Sequence, residues 1–160
     1  MSKEAIQEKN ISIRFKSYNP SFISINVLPP SSEFINELSK QNNNIAYMYN
    51  IDINNDARIE IDTFFLMIRF TLIGTIVSSN KSETLAEIGI NHQFEIEDLK
   101  SHVIGTDEKT QRPLLNTAFL ANLLGIAIST SRGMIKVKLE GTYIFNQLIP
   151  IVNPMDFIKR

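Results

Sequence analysis

The stretch that decides the fold runs from Phe64 to Ile96 and reads FFLMIRFTLIGTIVS-SNKS-ETLAEIGINHQFEI. In residues 64–78 one alternating face is wholly apolar and the other is mixed, which predicts a central strand covered on both sides. Residues 83–96 separate an apolar face from a polar one, and Leu85 is the one apolar residue on the polar face. Alternation with a period of two indicates β-strands, and the short polar loop between them predicts a hairpin.

Two further strands are predicted on the N-terminal side of this hairpin. Residues 11–27 alternate, but residues 17–21 interrupt the pattern, and Pro20 predicts an edge position or a bulge because it cannot donate to a sheet ladder. Residues 45–53 also alternate, and the polar residues 54–56 predict a turn after them. Successive strands joined by short loops predict an antiparallel meander of these four strands.

The pattern changes to helical spacing near Leu114. Pro113 suits the first turn of a helix, and Gly133 suits the position just after its end. The helix is apolar over much of its circumference, so a single sheet cannot cover it and we expect a subunit interface. The residues expected at that interface are Leu115, Phe119, Leu123 and Ile126. Pro154 could open a last short helix over residues 155–160.

Composition restricts the class of protein. The chain has 160 residues, a formal net charge of −1 and 43% hydrophobic residues, which fits one domain over residues 1–160. A nucleic-acid binder would need a surplus of Lys and Arg. The absence of Cys excludes disulfides and thiolate sites. We expect a flexible segment at residues 1–10, no membrane insertion and a cytoplasmic location.

No motif points to catalysis, to a metal or to a cofactor. Residues 52–56 resemble the start of a calcium loop, but Ala57 replaces the required Gly and Thr63 replaces the bidentate Glu. His92 lies on the buried-type face of its strand, and a structural role is the better interpretation for it and for His102. The sequence therefore predicts that the protein is not an enzyme. One alternative stays open, a small-molecule-binding α+β domain with a buried carboxylate or His92 inside a cavity.

The region after the helix is apolar and irregular. Such a segment beside a sheet can form ordinary core, a dimer contact or the wall of an apolar groove. For the groove interpretation, the wall residues are Met134, Ile135, Tyr143, Ile144, Phe145, Leu148, Ile149 and Val152.

Two segments resemble the SecB family of bacterial export chaperones. Residues 84–97 are similar to the last strand of the family, in which Leu-x-Glu precedes a polar stretch and a Phe. Residues 128–133, ISTSRG, resemble the family's helix that ends in Ser-Arg-Gly, and residues 148–153, LIPIVN, resemble its later Leu-x-Pro segment. The order of these elements matches the family over nearly the whole chain.

This resemblance implies an α+β fold with helices packed on one face of a four-stranded antiparallel sheet. It implies a homo-oligomer, commonly a dimer of dimers, and an ATP-independent chaperone that holds unfolded polypeptides in hydrophobic grooves for export. In the family the SecA motor docks on the exposed face of the sheet, and Leu85 and Glu87 match the Leu-x-Glu of that contact. Residues 21–27 lack the acidic residues of export chaperones and the chain is nearly neutral. The alternative is therefore a SecB-like chaperone dedicated to an antitoxin.

Overall fold

The fold is built on one four-stranded antiparallel sheet. A computed structural model describes residues 12–40 and 44–158. The strands are β1 (Phe15–Val27), β2 (Ile45–Arg58), β3 (Thr63–Ile76) and β4 (Lys81–Ile96), in the spatial order β1-β4-β3-β2. The predicted α+β class and four-stranded sheet are confirmed. The meander holds only for β2, β3 and β4, because β1 pairs with β4 at the far edge of the sheet and not with β2. Pro20 lies within β1, at the edge of the sheet, as its missing N–H requires.

One face of the sheet carries the core. The even-numbered side chains of β3, from Phe64 to Ile76, and those of β4 from Ala86 to Ile96 are almost wholly buried on it. The helix α2 (Thr117–Leu139) packs on the same face, where the ring of Phe119 meets the ring of Phe64 edge-on at 6.4 Å. The prediction that β3 is covered on both sides is wrong, because its odd-numbered side chains, such as Met67 and Ile73, are only half-buried.

The boundaries of α2 differ from those that Pro113 and Gly133 predict, and the helix extends further toward the C-terminus. It begins after Asn116, whose side chain accepts hydrogen bonds from the N–H groups of Ala118 and Phe119, so Pro113 lies outside it. It also continues through Gly133 to Leu139, because buried residues recur at helical spacing up to that point. By length and composition α2 could cross a membrane, and in this fold it packs along the sheet.

The turn between β2 and β3 lies further along the chain than the polar residues 54–56 predict. These residues continue β2 and pair with β3 in unbroken register. The reversal is made by a 3₁₀ turn at Ile59–Ile61, followed by Asp62 in the left-handed region with φ of 53°. The carboxylate of Asp62 accepts a hydrogen bond from the N–H of Leu99 and pairs with Lys16 at 3.0 Å. Lys16 and this backbone donor hold the pKa of Asp62 below its usual value.

A β-bulge changes the face on which Leu85 lies. Leu72 pairs with Ala86 and Ile73 pairs with Thr84, so Leu85 is an extra residue in β4. Its side chain is 1% exposed and lies over Gly74. A Cβ atom added to Gly74 would lie 2.7 Å from Leu85 Cδ1, so only glycine leaves room for the leucine. The prediction that Leu85 is exposed is therefore wrong. Glu87, two residues on, is exposed as predicted.

The remaining elements are short. The helix α1 (Ser32–Leu38) buries Phe34, and the strands β5 (Val103–Thr106) and β6 (Pro113–Leu115) form a separate hairpin. A 3₁₀ helix spans Pro154–Phe157, where the sequence predicts a short helix. Three predictions concern residues that the structure does not describe. They are the flexible segment at residues 1–10, the start of the first strand at Ile11, and the last two residues of the C-terminal helix, 159–160.

Candidate functional site

The candidate site is built around the C-terminal segment, residues 140–153, which crosses the space between β2 and α2. Side chains of the surrounding elements hold its backbone carbonyls. The hydroxyl of Tyr49, on β2, donates to the carbonyl of Gln147 at 2.7 Å. Arg132 Nε, on α2, donates to the carbonyl of Ile149 at 2.9 Å. These two bonds fix an irregular stretch of backbone between the sheet edge and the helix.

Burial alternates along this segment. Ile144 and Ile149 are inserted into the core and are almost completely buried. Phe145, Leu148 and Ile151 point outward, and Ile151 is 85% exposed. Burial anchors the segment while its outward side chains present apolar surface to solvent. A contiguous apolar surface of this kind marks binding sites for other polypeptides or ligands.

The largest depression at the site, named here the helix groove, lies between the last turns of α2 and the C-terminal segment. Its volume is about 650 Å³. Gly133, Lys136, Val137 and Glu140 line its helix side, and Phe145, Asn146 and Leu148 line the other. Val137 is 69% exposed. The groove therefore combines three large apolar side chains, Val137, Phe145 and Leu148, with one cation, Lys136, and one anion, Glu140.

Two smaller depressions continue along the same segment. The central groove, of about 310 Å³, lies between the middle of α2 at Ile128 and the chain from Ile151 to Pro154. The edge groove, of about 400 Å³, lies between β2 and the C-terminal segment; it is lined by Tyr49, Asn50, Ile51 and Asp52 on one side and Pro150, Val152 and Phe157 on the other. Val152 lines both, and the helix groove borders the same segment at Phe145 and Leu148, so the three grooves surround one segment and combine apolar with polar side chains.

The hydroxyl of Tyr49 holds the C-terminal segment in place at neutral pH. Burial raises the pKa of its hydroxyl to about 12, so the group stays protonated and remains a donor to Gln147. Tyr143 makes a comparable link, because its hydroxyl donates to the carbonyl of Leu28 after β1. Both tyrosines therefore tie the C-terminal segment to the sheet.

The structure divides the predicted wall residues into three groups. Phe145, Leu148 and Val152 line the grooves. Ile135, Ile144 and Ile149 are buried in the core, so they support the surface from below and are not walls. Met134 is half-buried against the core, and Tyr143 is exposed outside the three grooves. The sequence indicated the segment that borders the grooves, but it did not separate the inward side chains from the outward ones; a role of this segment in client binding stays a prediction.

Several groove residues were not predicted. Val137 was missed because Gly133 was interpreted as the end of the helix, although the spacing of Ile128, Ile135 and Leu139 continues a helical stripe and leaves Val137 outside it. The position of Ile151 in a short apolar run between Pro150 and Pro154 is a sequence signal that could identify it as a groove residue. Ile51 and Phe157 carry no local signal, because they reach the grooves only through the tertiary fold.

The other predicted site residues occupy different places. Of the pair expected to dock a motor, only Glu87 is exposed. Of the residues expected at an oligomer interface, Leu115, Phe119 and Leu123 are buried in this chain's own core, and Ile126 is 37% exposed. The burial of Phe119 and Leu123 follows from α2 turning its most apolar stripe toward the sheet, whereas Leu115 lies in β6, before the helix begins. The outer face of α2 instead carries small side chains such as Ala118 and Ser129.

His92 lies away from the grooves. It is fully buried, with Nδ1 hydrogen-bonded to the Tyr18 hydroxyl at 2.8 Å and Nε2 to Ser131 Oγ at 2.9 Å. Burial lowers its pKa to about 4, so it is neutral near pH 7. Both ring nitrogens are occupied, and it links β1, β4 and α2. Its partners fit a structural role better than the small-molecule cavity left open above, because none of the described grooves is lined by it.

His102 also has a packing partner. Its ring stacks on the ring of Phe119, with centroids 4.2 Å apart and an interplanar angle of 16°. It lies at the end of the 3₁₀ turn Leu99–His102, next to β5. In the described residues no group of three His, Asp or Glu side chains is arranged to hold a metal ion.

Comparison with known proteins gives structural similarity but no sequence match. No family model matches the chain, and no curated protein matches its sequence. Among solved structures, the chain is similar to a SecB-like chaperone of Mycobacterium tuberculosis in complex with a peptide from the HigA1 antitoxin. The two share 15% sequence identity with a TM-score of 0.46, over 89% of this chain and 88% of that chain.

Proposed function

We propose that this protein is an ATP-independent chaperone that binds non-native polypeptides, called clients below, on the apolar surface around residues 140–153. The observation that carries the proposal is the outward exposure of Phe145, Leu148 and Ile151 from a segment that is anchored by its alternate residues. Leaving large apolar side chains in solvent is unfavourable for folding, so a bound partner is the natural reason for them.

The shape of the surface favours a polypeptide over a small ligand. The grooves are open, border one segment, and each has aliphatic or aromatic side chains in its lining beside polar ones. A small-molecule site is usually a concave pocket with a few convergent polar groups. Binding of many sequences needs apolar area more than a fixed pattern of hydrogen bonds.

For the identity of the client, an antitoxin is favoured over preproteins that are delivered to an export motor. The SecA-docking proposal rested on Leu85 and Glu87 together, and the burial of Leu85 leaves only Glu87 on the surface. The near-neutral net charge of −1 also differs from the acidic surface expected of an export chaperone. An antitoxin peptide is the ligand named for the similar solved structure. Docking of SecA through Glu87 and assembly into a tetramer remain proposals.

The proposal is tested by suppression of aggregation without nucleotide. A denatured reporter such as citrate synthase is diluted into buffer, and light scattering is followed with and without a stoichiometric amount of this protein. We expect scattering to fall. If the wild-type protein leaves scattering unchanged at several-fold molar excess, the proposal is refuted.

A matched pair of variants locates the activity. Ile151→Ser removes an 85% exposed apolar side chain from the central groove, and Ile104→Ser removes a 66% exposed one from β5, outside the three grooves. Both changes are at the surface, so stability should change by less than about 0.5 kcal/mol. Ile151→Ser should weaken suppression and Ile104→Ser should not. Equal loss in both variants would place the activity elsewhere.

A further inference from the structure

The outer edge of β2 is an unprotected strand edge. β2 is the last strand of the sheet order, has 14 residues and pairs with β3 without a register shift. Within the described residues no backbone hydrogen bond reaches its outer side. Edge strands are commonly blunted by proline, lysine or bulges, because their free N–H and C=O groups accept another strand.

The opposite edge of the sheet shows such protection. β1 contains Pro20 and Lys16, and its register shifts between Phe22 and Ser24. β2 contains neither proline nor lysine. Of the two edges, β2 is therefore the one that can accept an added strand along its length.

The register identifies the backbone groups that face outward. The N–H of Val77 donates to the carbonyl of Asn44 at 3.0 Å, so these two residues extend the ladder as a hydrogen-bonded pair. In an antiparallel ladder hydrogen-bonded and non-hydrogen-bonded pairs alternate. Even-numbered residues of β2 therefore bond to β3. The odd-numbered residues Tyr49, Ile51 and Ile53 direct their N–H and C=O groups away from the sheet.

The edge groove lies along these outward groups. Tyr49 and Ile51 form its sheet side, and Val152 and Phe157 form its apolar far side. An extended backbone in this groove can pair with β2 and place alternate side chains against the apolar wall. The groove therefore combines main-chain hydrogen bonding with an apolar contact.

We propose that the edge groove takes an extended apolar segment of a client as a fifth strand, paired with the outward amides of Tyr49, Ile51 and Ile53. This inference rests on the proposed function and specifies how its clients are bound. Main-chain pairing supplies affinity independently of the client sequence, whereas the apolar wall selects for apolar side chains.

A client segment fits this edge better than a second copy of β2. Antiparallel pairing of two copies about the middle of the strand, at Asp52, would bring two carboxylates to the same point. Like charges opposite each other on a sheet are destabilising. An apolar client segment carries no carboxylate to this point and avoids the repulsion.

Amide hydrogen exchange resolved by residue tests the pairing directly. The probe is reduced, carboxymethylated α-lactalbumin, a permanently unfolded protein, and its binding is measured separately by fluorescence anisotropy. We expect exchange at Tyr49, Ile51 and Ile53 to slow at least tenfold, by an order-of-magnitude estimate, in the saturated complex. The amides of Asn50 and Asp52, already bonded to β3, should change little. If the probe binds and the odd-numbered amides exchange as before, the added strand is refuted while the chaperone function stands. If the probe does not bind, both are refuted.

A proline substitution gives a second test. Ile51→Pro removes one outward N–H and leaves the ladder to β3 intact, and Ile51→Val is the control because it keeps both the N–H and a branched side chain. Loss of one hydrogen bond should weaken probe binding about two- to tenfold, with no change for Ile51→Val. Equal affinity of both variants would refute the pairing. If size-exclusion chromatography shows that Ile51→Pro dissociates an assembly in the absence of client, the occupant of the edge is a second copy. If Ile51→Pro does not fold, hydrogen exchange of the wild-type protein decides.

Discussion

Substitution of Leu85 by alanine separates a core role from a surface role for this residue. The side chain is 1% exposed and is held by the β-bulge in the space above Gly74. Leu→Ala changes at buried sites cost about 2–5 kcal/mol, from lost transfer free energy and the cavity that remains. Gly74 adds no side chain to refill the space, so we expect about 3 kcal/mol for Leu85→Ala. In a domain of this size that loss lowers the Tm by about 6–12 °C.

The assay is urea unfolding followed by circular dichroism at a fixed protein concentration. Glu87→Ala is the matched control, because Glu87 lies two residues away on the same strand and is exposed. It should change the free energy of unfolding by less than about 0.5 kcal/mol. If Leu85→Ala is as harmless as Glu87→Ala, Leu85 is on the surface, the bulge is misplaced and the pair becomes a docking candidate again.

A double substitution tests the contact itself. Gly74→Ala alone places a methyl group about 2.7 Å from Leu85 Cδ1 and should destabilise the protein by about 1–3 kcal/mol through overpacking. In Gly74→Ala/Leu85→Ala the new methyl group enters the space left by leucine. The double variant should therefore lose less free energy than the sum of the two single losses. Strict additivity would show that the two side chains do not touch.

The remaining predictions concern pH and the attachment of the C-terminal segment. Because the pKa of His92 falls from 6.5 in the unfolded chain to about 4 in the fold, its contribution of about 3 kcal/mol is present above pH 6.5 and is lost as the pH falls toward 4. His92→Gln should flatten the pH dependence of unfolding between pH 7 and pH 5, and a slope equal to that of the wild type would contradict the burial effect. Tyr49→Phe removes the bond to the Gln147 carbonyl, so it should lower stability by about 0.5–1.5 kcal/mol and raise the rate of proteolysis within residues 140–153. Unchanged cleavage there would mean that other contacts hold the segment.

Local pattern was enough to predict the sheet. The alternation of residues 64–78 and 83–96 identified β3 and β4, and Pro20 identified an edge strand, because strand geometry imposes a period of two and ladders need N–H groups. The bulge at Leu85 could not be predicted in this way. It depends on the gap above Gly74 on a neighbouring strand, and a one-residue insertion moves a side chain to the other face.

Residues that locally favour a turn or a helix end gave wrong element boundaries where tertiary packing was stronger. Asn54, Asn55 and Asp56 favour a turn, yet they extend β2 because β3 offers a continuous partner. Gly133 favours a helix end, yet α2 continues because Ile135 and Leu139 are buried against the sheet. The candidate site shows the same limit, since its segment was visible in the sequence while its inward and outward residues depended on the contacts around it.

The central claim, that the surface around residues 140–153 holds clients, is tested most directly by site-specific photo-crosslinking. The photoreactive residue p-benzoylphenylalanine replaces Phe145, at the helix groove, and in a control replaces Ile104, outside the three grooves. Each variant is irradiated with reduced, carboxymethylated α-lactalbumin and, separately, with native α-lactalbumin. Strong crosslinking from position 145 to the unfolded form, with little to the native form and little from position 104, is the predicted result. Equal crosslinking from both positions, or none from position 145, would contradict the claim.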